Sequence, residues 1–222
     1  MAHVLILGMT ESGKTTLARR LAARYKANGA GILVLDPIGD PRWNADFMTS
    51  DPEEFLHVFW QSQRCMAFID ESGDAVGRYD RAMIRTATRG RHWGHACHYI
   101  TQRAVDISRT VRDQCSQLYL FASSMDDGKV HSREWNKPEL MNCHTLQRGE
   151  YYSAPRFGSL KKGAVFNTHT NTPEGDRNDS RNSSSGVGHH SGRTGGEPEE
   201  KGGQASGNRV NSDTGQAGEE GG

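Results

Sequence analysis

The sequence predicts an α/β fold in which a mainly parallel central sheet lies between two layers of helices. Three observations predict it. Short apolar runs with β-branched members alternate with helix-spaced patterns over residues 3–121. Two of those runs end in polar side chains, Asp70-Glu71 and Gln102-Arg103, as strands do where a parallel sheet meets a ligand. The first run passes through a glycine loop directly into a helix.

That first run is His3-Val4-Leu5-Ile6-Leu7, a buried strand. It is followed by Gly8-Met9-Thr10-Glu11-Ser12-Gly13-Lys14-Thr15, which reads G-x-x-x-x-G-K-T, and then by Thr16. Residues 17–25 carry apolar side chains at helical spacing, and Asn28-Gly29 with Gly31 end the helix. Residues 31–36 form a second strand closed by Pro37, and residues 37–50 are expected to be a loop. Asp51 is the expected N-cap of the next helix, with Pro52 at its first position and an apolar face of Phe55, Leu56, Phe59 and Trp60. A third strand covers residues 65–69, a helix residues 79–89, a fourth strand residues 95–101 and a further helix residues 104–114. A fifth strand, residues 118–121, leads to a polar stretch, 123–137, with room for some helix. A C-terminal β-hairpin is expected to close the fold, with residues 143–146 as one strand, a turn near Arg148-Gly149 and Glu150-Tyr151-Tyr152 as the other.

The glycine loop carries the strongest chemical signal. Gly8 and Gly13 let the chain curl until successive amide N–H groups converge on a polyphosphate, at the positive end of the following helix. The expected nucleotide contacts are Gly8, Met9, Thr10, Glu11, Ser12, Gly13, Lys14, Thr15 and Thr16. Lys14 reaches the β- and γ-phosphates, and the Thr15 hydroxyl is a hard oxygen ligand for Mg²⁺. A carboxylate at the end of the third strand, Asp70, can hold Mg²⁺ through water. The next residue, Glu71, can activate the attacking water. Gln102, at the tip of the fourth strand, can meet the γ-phosphate. This site makes ATP and Mg²⁺ the expected substrate and cofactor. His92, His95, Cys97 and His98 are dense in metal-ligand types, but their spacing fits no common zinc pattern; packing is the expected role.

Together these motifs resemble the FtsK/HerA branch of P-loop ATPases. The residues that carry the likeness are the loop at 8–15, Ile69-Asp70-Glu71, Arg91-His92-Trp93-Gly94 and Ile100-Thr101-Gln102-Arg103. Within that branch the chain is most similar to the small genome-packaging ATPases of tailless, membrane-containing icosahedral viruses. One departure is Ala104, where family members often carry Pro. The resemblance implies a three-layer P-loop NTPase fold of RecA/ASCE type, with the fourth strand between the first and third. It also implies a homo-oligomeric ring, commonly a hexamer, with ATP at subunit boundaries and an arginine supplied by the neighbour. Arg91 best matches that finger, and Arg89 is the reserve. The implied function is translocation of double-stranded DNA, independent of sequence, into a viral procapsid. Capsid or portal-vertex proteins are the implied partners. The implied location is the cytoplasm of an infected host cell, or the packaging vertex of the virion. Two rival functions remain at this stage: an assembly or secretion ATPase of a phage, and a small phosphotransferase.

Composition sets the boundaries. Of 222 residues, positions 167–222 contain no aromatic residue and no Leu, Ile or Met. Such a segment cannot offset its chain entropy by burial, so a disordered tail is expected after an ATPase domain at 1–166. The formal charge is zero, yet the first 162 residues hold 22 Lys/Arg against 18 Asp/Glu. A mildly basic domain suits a polyanionic partner. Four scattered cysteines, Cys65, Cys97, Cys115 and Cys143, read as reduced thiols. No apolar run is long enough for a transmembrane segment, the start does not read as a signal peptide, and the domain is expected to begin almost at Met1.

Overall fold

The computed structural model describes residues 2–70 and 72–166, within the first of the chain's two units, Met1–Asn171. For residues 72–80 only the backbone is described. The tail expected at 167–222 and the residue Glu71 lie outside the described residues.

Eight strands form one sheet: β1 (His3–Leu7), β2 (Gly31–Leu35), β3 (Phe47–Thr49), β4 (Cys65–Ile69), β5 (Ala96–Thr101), β6 (Cys115–Phe121), β7 (Glu150–Pro155) and β8 (Lys161–Ala164). Their order is β3-β2-β4-β5-β1-β6-β7-β8. The first six are parallel, and β7 and β8 add antiparallel at one edge. β5, the expected fourth strand, lies between β1 and β4, so the tips of these three strands are neighbours.

Alternation along the strands divides the core into two layers. Val4, Ile6, Ile32, Val34, Phe68 and Ile100 pack under α1 (Lys14–Ala27), through Leu17, Ala18 and Ala22. The opposite face, with Leu5, Leu7, Ala67, Ile69 and Tyr99, is covered by α2 (Pro52–Gln61), α3 (Ser72–Arg89), α4 (Arg109–Gln114) and α5 (Met125–Glu134). α2 starts as its sequence dictates: the Asp51 carboxylate accepts from the Glu53 N–H at 2.9 Å, with Pro52 in the first turn.

Three expectations are corrected. The loop at 37–50 contains β3, which pairs parallel to β2 at the sheet edge. The helix expected over 104–114 is two pieces, a 3-10 turn at Ala104–Asp106 and then α4. The Arg112 guanidinium reaches back to the carbonyls of Ala104 (2.6 Å) and Ile107 (2.5 Å), acceptors that a continuous helix would use internally. Ser108 then restarts the helix by accepting from the Val111 N–H. Residues 143–146 are not a strand. They end a 3-10 stretch, Pro138–Thr145, and the hairpin is β7–β8 instead. Leu140, Cys143 and Leu146, three residues apart, are all buried, which matches the three-residue period of such a helix.

The histidines of the fourth strand region serve packing. His95 Nδ1 accepts from the Cys65 N–H at 3.1 Å, while Nε2 meets the Phe59 carbonyl at 3.0 Å. His98 stacks on Phe68, and its ring nitrogens face Ala67 O and the Tyr25 hydroxyl. Burial lowers the pKa of both, that of His98 to about 4.

Candidate nucleotide site

The glycine loop sits at the carboxyl end of β1. The Gly8 N–H donates to Thr101 O (3.3 Å) and the Met9 N–H to Ala122 O (2.8 Å), which ties the loop to the tips of β5 and β6. Its curl requires backbone that most residues avoid: Glu11 has φ +61° and Gly13 φ +110°. A Cβ at Gly8 would stand 2.6 Å from Phe121 Cβ, and one at Gly13 would stand 2.8 Å from Val165 Cγ2. Both glycines are therefore required by close approach, and Gly13 by its dihedral angle as well.

Three hydrogen bonds from side chains assemble the site. The Lys14 ammonium donates to Met9 O at 2.9 Å, within its own loop. The Thr15 hydroxyl donates to Asp70 Oδ2 at 3.2 Å, which brings the expected Mg²⁺ ligand and the carboxylate at the tip of β4 together. The Thr10 hydroxyl donates to Gln102 Oε1 at 3.0 Å. That bond turns the amide so that its nitrogen is the donor presented at the tip of β5. Thr10, Lys14, Thr15, Asp70, Thr101 and Gln102 line one cavity of about 190 Å³, with Ile38 at its rim. Asp70 is 8% exposed, and its N–H donates to Leu35 O.

The cavity fits a Mg²⁺-bound polyphosphate in its donor chemistry. Backbone amides and an ammonium stand on one side, and a hard hydroxyl oxygen beside a carboxylate on the other. Ser12 adds a hydroxyl that is buried and has no hydrogen-bond partner among the described residues. Thr16 follows Thr15 into the first turn of α1.

Arg91 lies elsewhere. It belongs to the 3-10 turn Gly90–Trp93 that precedes β5, at the amino ends of the strands, and donates to Gln114 O. With Arg64, His92 and Trp93 it lines a separate concavity of about 400 Å³. The opposite end of β5 carries Gln102, so Arg91 does not enter the cavity of its own chain.

Sequence reasoning missed the other wall of the loop. The Gly149 N–H donates to Ser12 O at 2.9 Å, and Arg148 Nε donates to Glu11 O at 3.3 Å. Val165 packs against Gly13, and its N–H donates to Gly149 O at 2.9 Å. The only local signal was the turn glycine at 149.

Fold and loop together are those of the P-loop NTPase fold. The family model described as the central domain of helicase HerA matches residues 1–59. The genome-packaging NTPase B204 from Sulfolobus turreted icosahedral virus 2 has the same fold. Its complex with ATP-gammaS aligns at TM-score 0.62 and 15% identity, over 74% of this chain and 98% of that one. Its complex with AMPPCP aligns at TM-score 0.60 and 17% identity, over 72% and 96%. VirB4 of Thermoanaerobacter pseudethanolicus aligns at TM-score 0.56 and 11% identity, over 72% and 88%. No curated protein matches the chain in sequence. The resemblance to HerA-type ATPases that the motifs carry thus meets a family match over the first strands and the same fold beyond it.

Proposed function

We propose that this protein is an ATP-hydrolysing translocase that drives double-stranded DNA into a viral procapsid. The observation that carries the reading is the convergence of Lys14, Thr15–Asp70 and Thr10–Gln102 on one cavity at neighbouring strand tips. Likeness in fold to a genome-packaging NTPase supports it.

Residues 8–16 and the Lys14 ammonium hold the triphosphate; the Gly8 and Met9 amides stay bonded to Thr101 O and Ala122 O, so the amides that meet the phosphates lie further along the loop. Mg²⁺ would be held by the Thr15 hydroxyl and, through water, by Asp70, and would supply positive charge to offset that of the triphosphate. Glu71 takes the proton of the attacking water, and Gln102 reads the γ-phosphate. Arg91, or Arg89 in reserve, acts on a neighbouring subunit's nucleotide in a homo-oligomeric ring, a hexamer by analogy. The position of Arg91 at the far end of β5 suits action across a boundary and not within one chain. Capsid or portal-vertex proteins would be its further partners, at the packaging vertex in an infected cell. The ATPase domain would end near residue 166. Among the described residues no helix is long and apolar enough to cross a membrane.

DNA would be held by its phosphates. Of the basic residues on the surface, Lys129 is paired with Asp126 and Lys162 with Glu150. Arg81, Arg85 and Arg89 are exposed at i, i+4 and i+8 on α3, a row of like charge that an anionic backbone would relieve.

The deciding experiment is ATP hydrolysis by the purified full-length chain with and without duplex DNA, alongside its mass in solution. Hydrolysis raised by DNA in a multi-subunit species is expected. Transfer of phosphate only to an added acceptor would make the protein a phosphotransferase, and hydrolysis indifferent to DNA would favour an assembly or secretion ATPase. Lys14→Ala should abolish turnover. Glu71→Gln should bind ATP without cleaving it. Arg91→Ala should bind ATP, stay inactive and recover in part when mixed with Glu71→Gln subunits.

A further inference from the structure

A bound triphosphate has a direction across the loop. Asp70 and Gln102 mark the γ end, because β4 and β5 lie on that side of β1. The ribose and base must then leave on the other side, toward β6 and β7. There the wall formed by residues 147–149 and the end of β8 rests on the loop. Gly149, at φ +88°, is pressed so closely by Phe166 that a Cβ would stand 2.3 Å from its ring. Phe166 is nonetheless 39% exposed, and the exposed Arg148 guanidinium stands over its ring, 5.7 Å from the centroid. Both are tied to the phosphate loop: the Arg148 side chain donates to Glu11 O, and the backbone leading to Phe166 is joined to it through Val165 and Gly149.

We infer that Arg148 and Phe166 form a shelf on which the base of a bound purine nucleoside triphosphate stacks. This inference rests on the nucleotide site proposed above. A flat cation backed by an aromatic ring, exposed at the base end of the phosphate loop, offers a surface that a π-system prefers. The shelf meets the face of the base and not its edge. A face is common to adenine and guanine, whereas edges carry the hydrogen-bonding groups that separate them. Stacking strength follows ring area, so purines bind more tightly than pyrimidines, and adenine and guanine bind alike. The affinity of the loop for the phosphates does not depend on this shelf.

Binding of non-hydrolysable ATP, GTP and CTP analogues and of tripolyphosphate to the full-length chain, with Mg²⁺, tests the inference without requiring hydrolysis or DNA. Arg148→Ala and Phe166→Leu should each weaken both purine analogues by about tenfold. In Phe166→Leu, which breaks no bond to the loop, tripolyphosphate should stay within about twofold of its wild-type affinity. Phe166→Trp should keep purine affinity and show fluorescence quenched by the purine analogues, a change absent from the wild-type tryptophans. Equal weakening of tripolyphosphate by Arg148→Ala would mean that the arginine only braces Glu11, and would overturn the shelf. Unchanged purine affinity in both variants would overturn it too. A wild-type chain that binds neither nucleotide nor tripolyphosphate would bring down the nucleotide site itself, a result distinct from a site that binds phosphate but ignores the base.

Discussion

Gly13 is held by two independent constraints, its φ of +110° and the methyl of Val165. Gly13→Ala should therefore cost about 1–3 kcal/mol of stability through backbone strain alone. It should also lose nucleotide affinity, because the loop can relax only by opening. Denaturant midpoints and analogue binding check this; a variant normal in both would show that the loop gives without cost. Gln102 makes a different kind of contribution. Its amide is oriented by Thr10 and faces the cavity, so Gln102→Ala should lower kcat by about 10²-fold while leaving the affinity for a non-hydrolysable analogue near wild type. A parallel loss of affinity would make Gln102 a binding residue and not a sensor. Most of the candidate site was legible at this scale, since the loop motif and the two polar strand tips are contiguous in sequence. Arg148 was not. Its role comes from a contact with Glu11, more than 130 residues away in the chain, which no local pattern records.

The break between Ala104–Asp106 and α4 depends on one side chain. Arg112 pairs with Glu134 at 2.8 Å, both side chains largely buried, and bonds two carbonyls as well. Arg112→Ala should cost about 3 kcal/mol, because it strands a buried carboxylate and two acceptors, with thermal or denaturant unfolding as the measurement. A loss under 1 kcal/mol would mean that water or a local refolding into one longer helix replaces it. The misread hairpin has a related cause. Residues 143–146 look like a strand when taken alone, but the apolar repeat of Leu140, Cys143 and Leu146 is that of a 3-10 turn packed on α5. The close approach there leaves no space for a side chain at Gly128, where a Cβ would lie 3.0 Å from Cys143 Sγ.

At the scale of the whole fold, three of the four fully buried histidines among the described residues set the acid limit. His3, His98 and His131 each have a pKa lowered to about 4, in every case chiefly by burial. The unfolded chain binds protons on these rings near pH 6.5 and the folded chain only near pH 4, so the unfolded state gains protons first as pH falls. The stability contributed by the neutral rings is thus complete above about pH 6.5 and is lost progressively down to about pH 4, with a slope of up to about 1.4 kcal/mol per pH unit for each histidine. Urea midpoints measured from pH 7.5 to 4.5 should fall steeply below 6.5. A His98→Gln variant that keeps the fold should show a shallower slope, and an unchanged slope would remove His98 from the account.

The sequence by itself determined the strand–loop–helix unit, the succession of parallel strands and the residue types at their tips. Each of these is written in adjacent residues, through period-two or period-3.6 burial and through glycines that a curled loop demands. The tertiary structure alone decided where β3, β7 and β8 attach, how Arg112 divides a helix and which residues brace the phosphate loop from its far side. Those choices are fixed by burial and hydrogen bonding between distant segments. Such energies exist only once the segments meet, and so leave no period in the chain to be read.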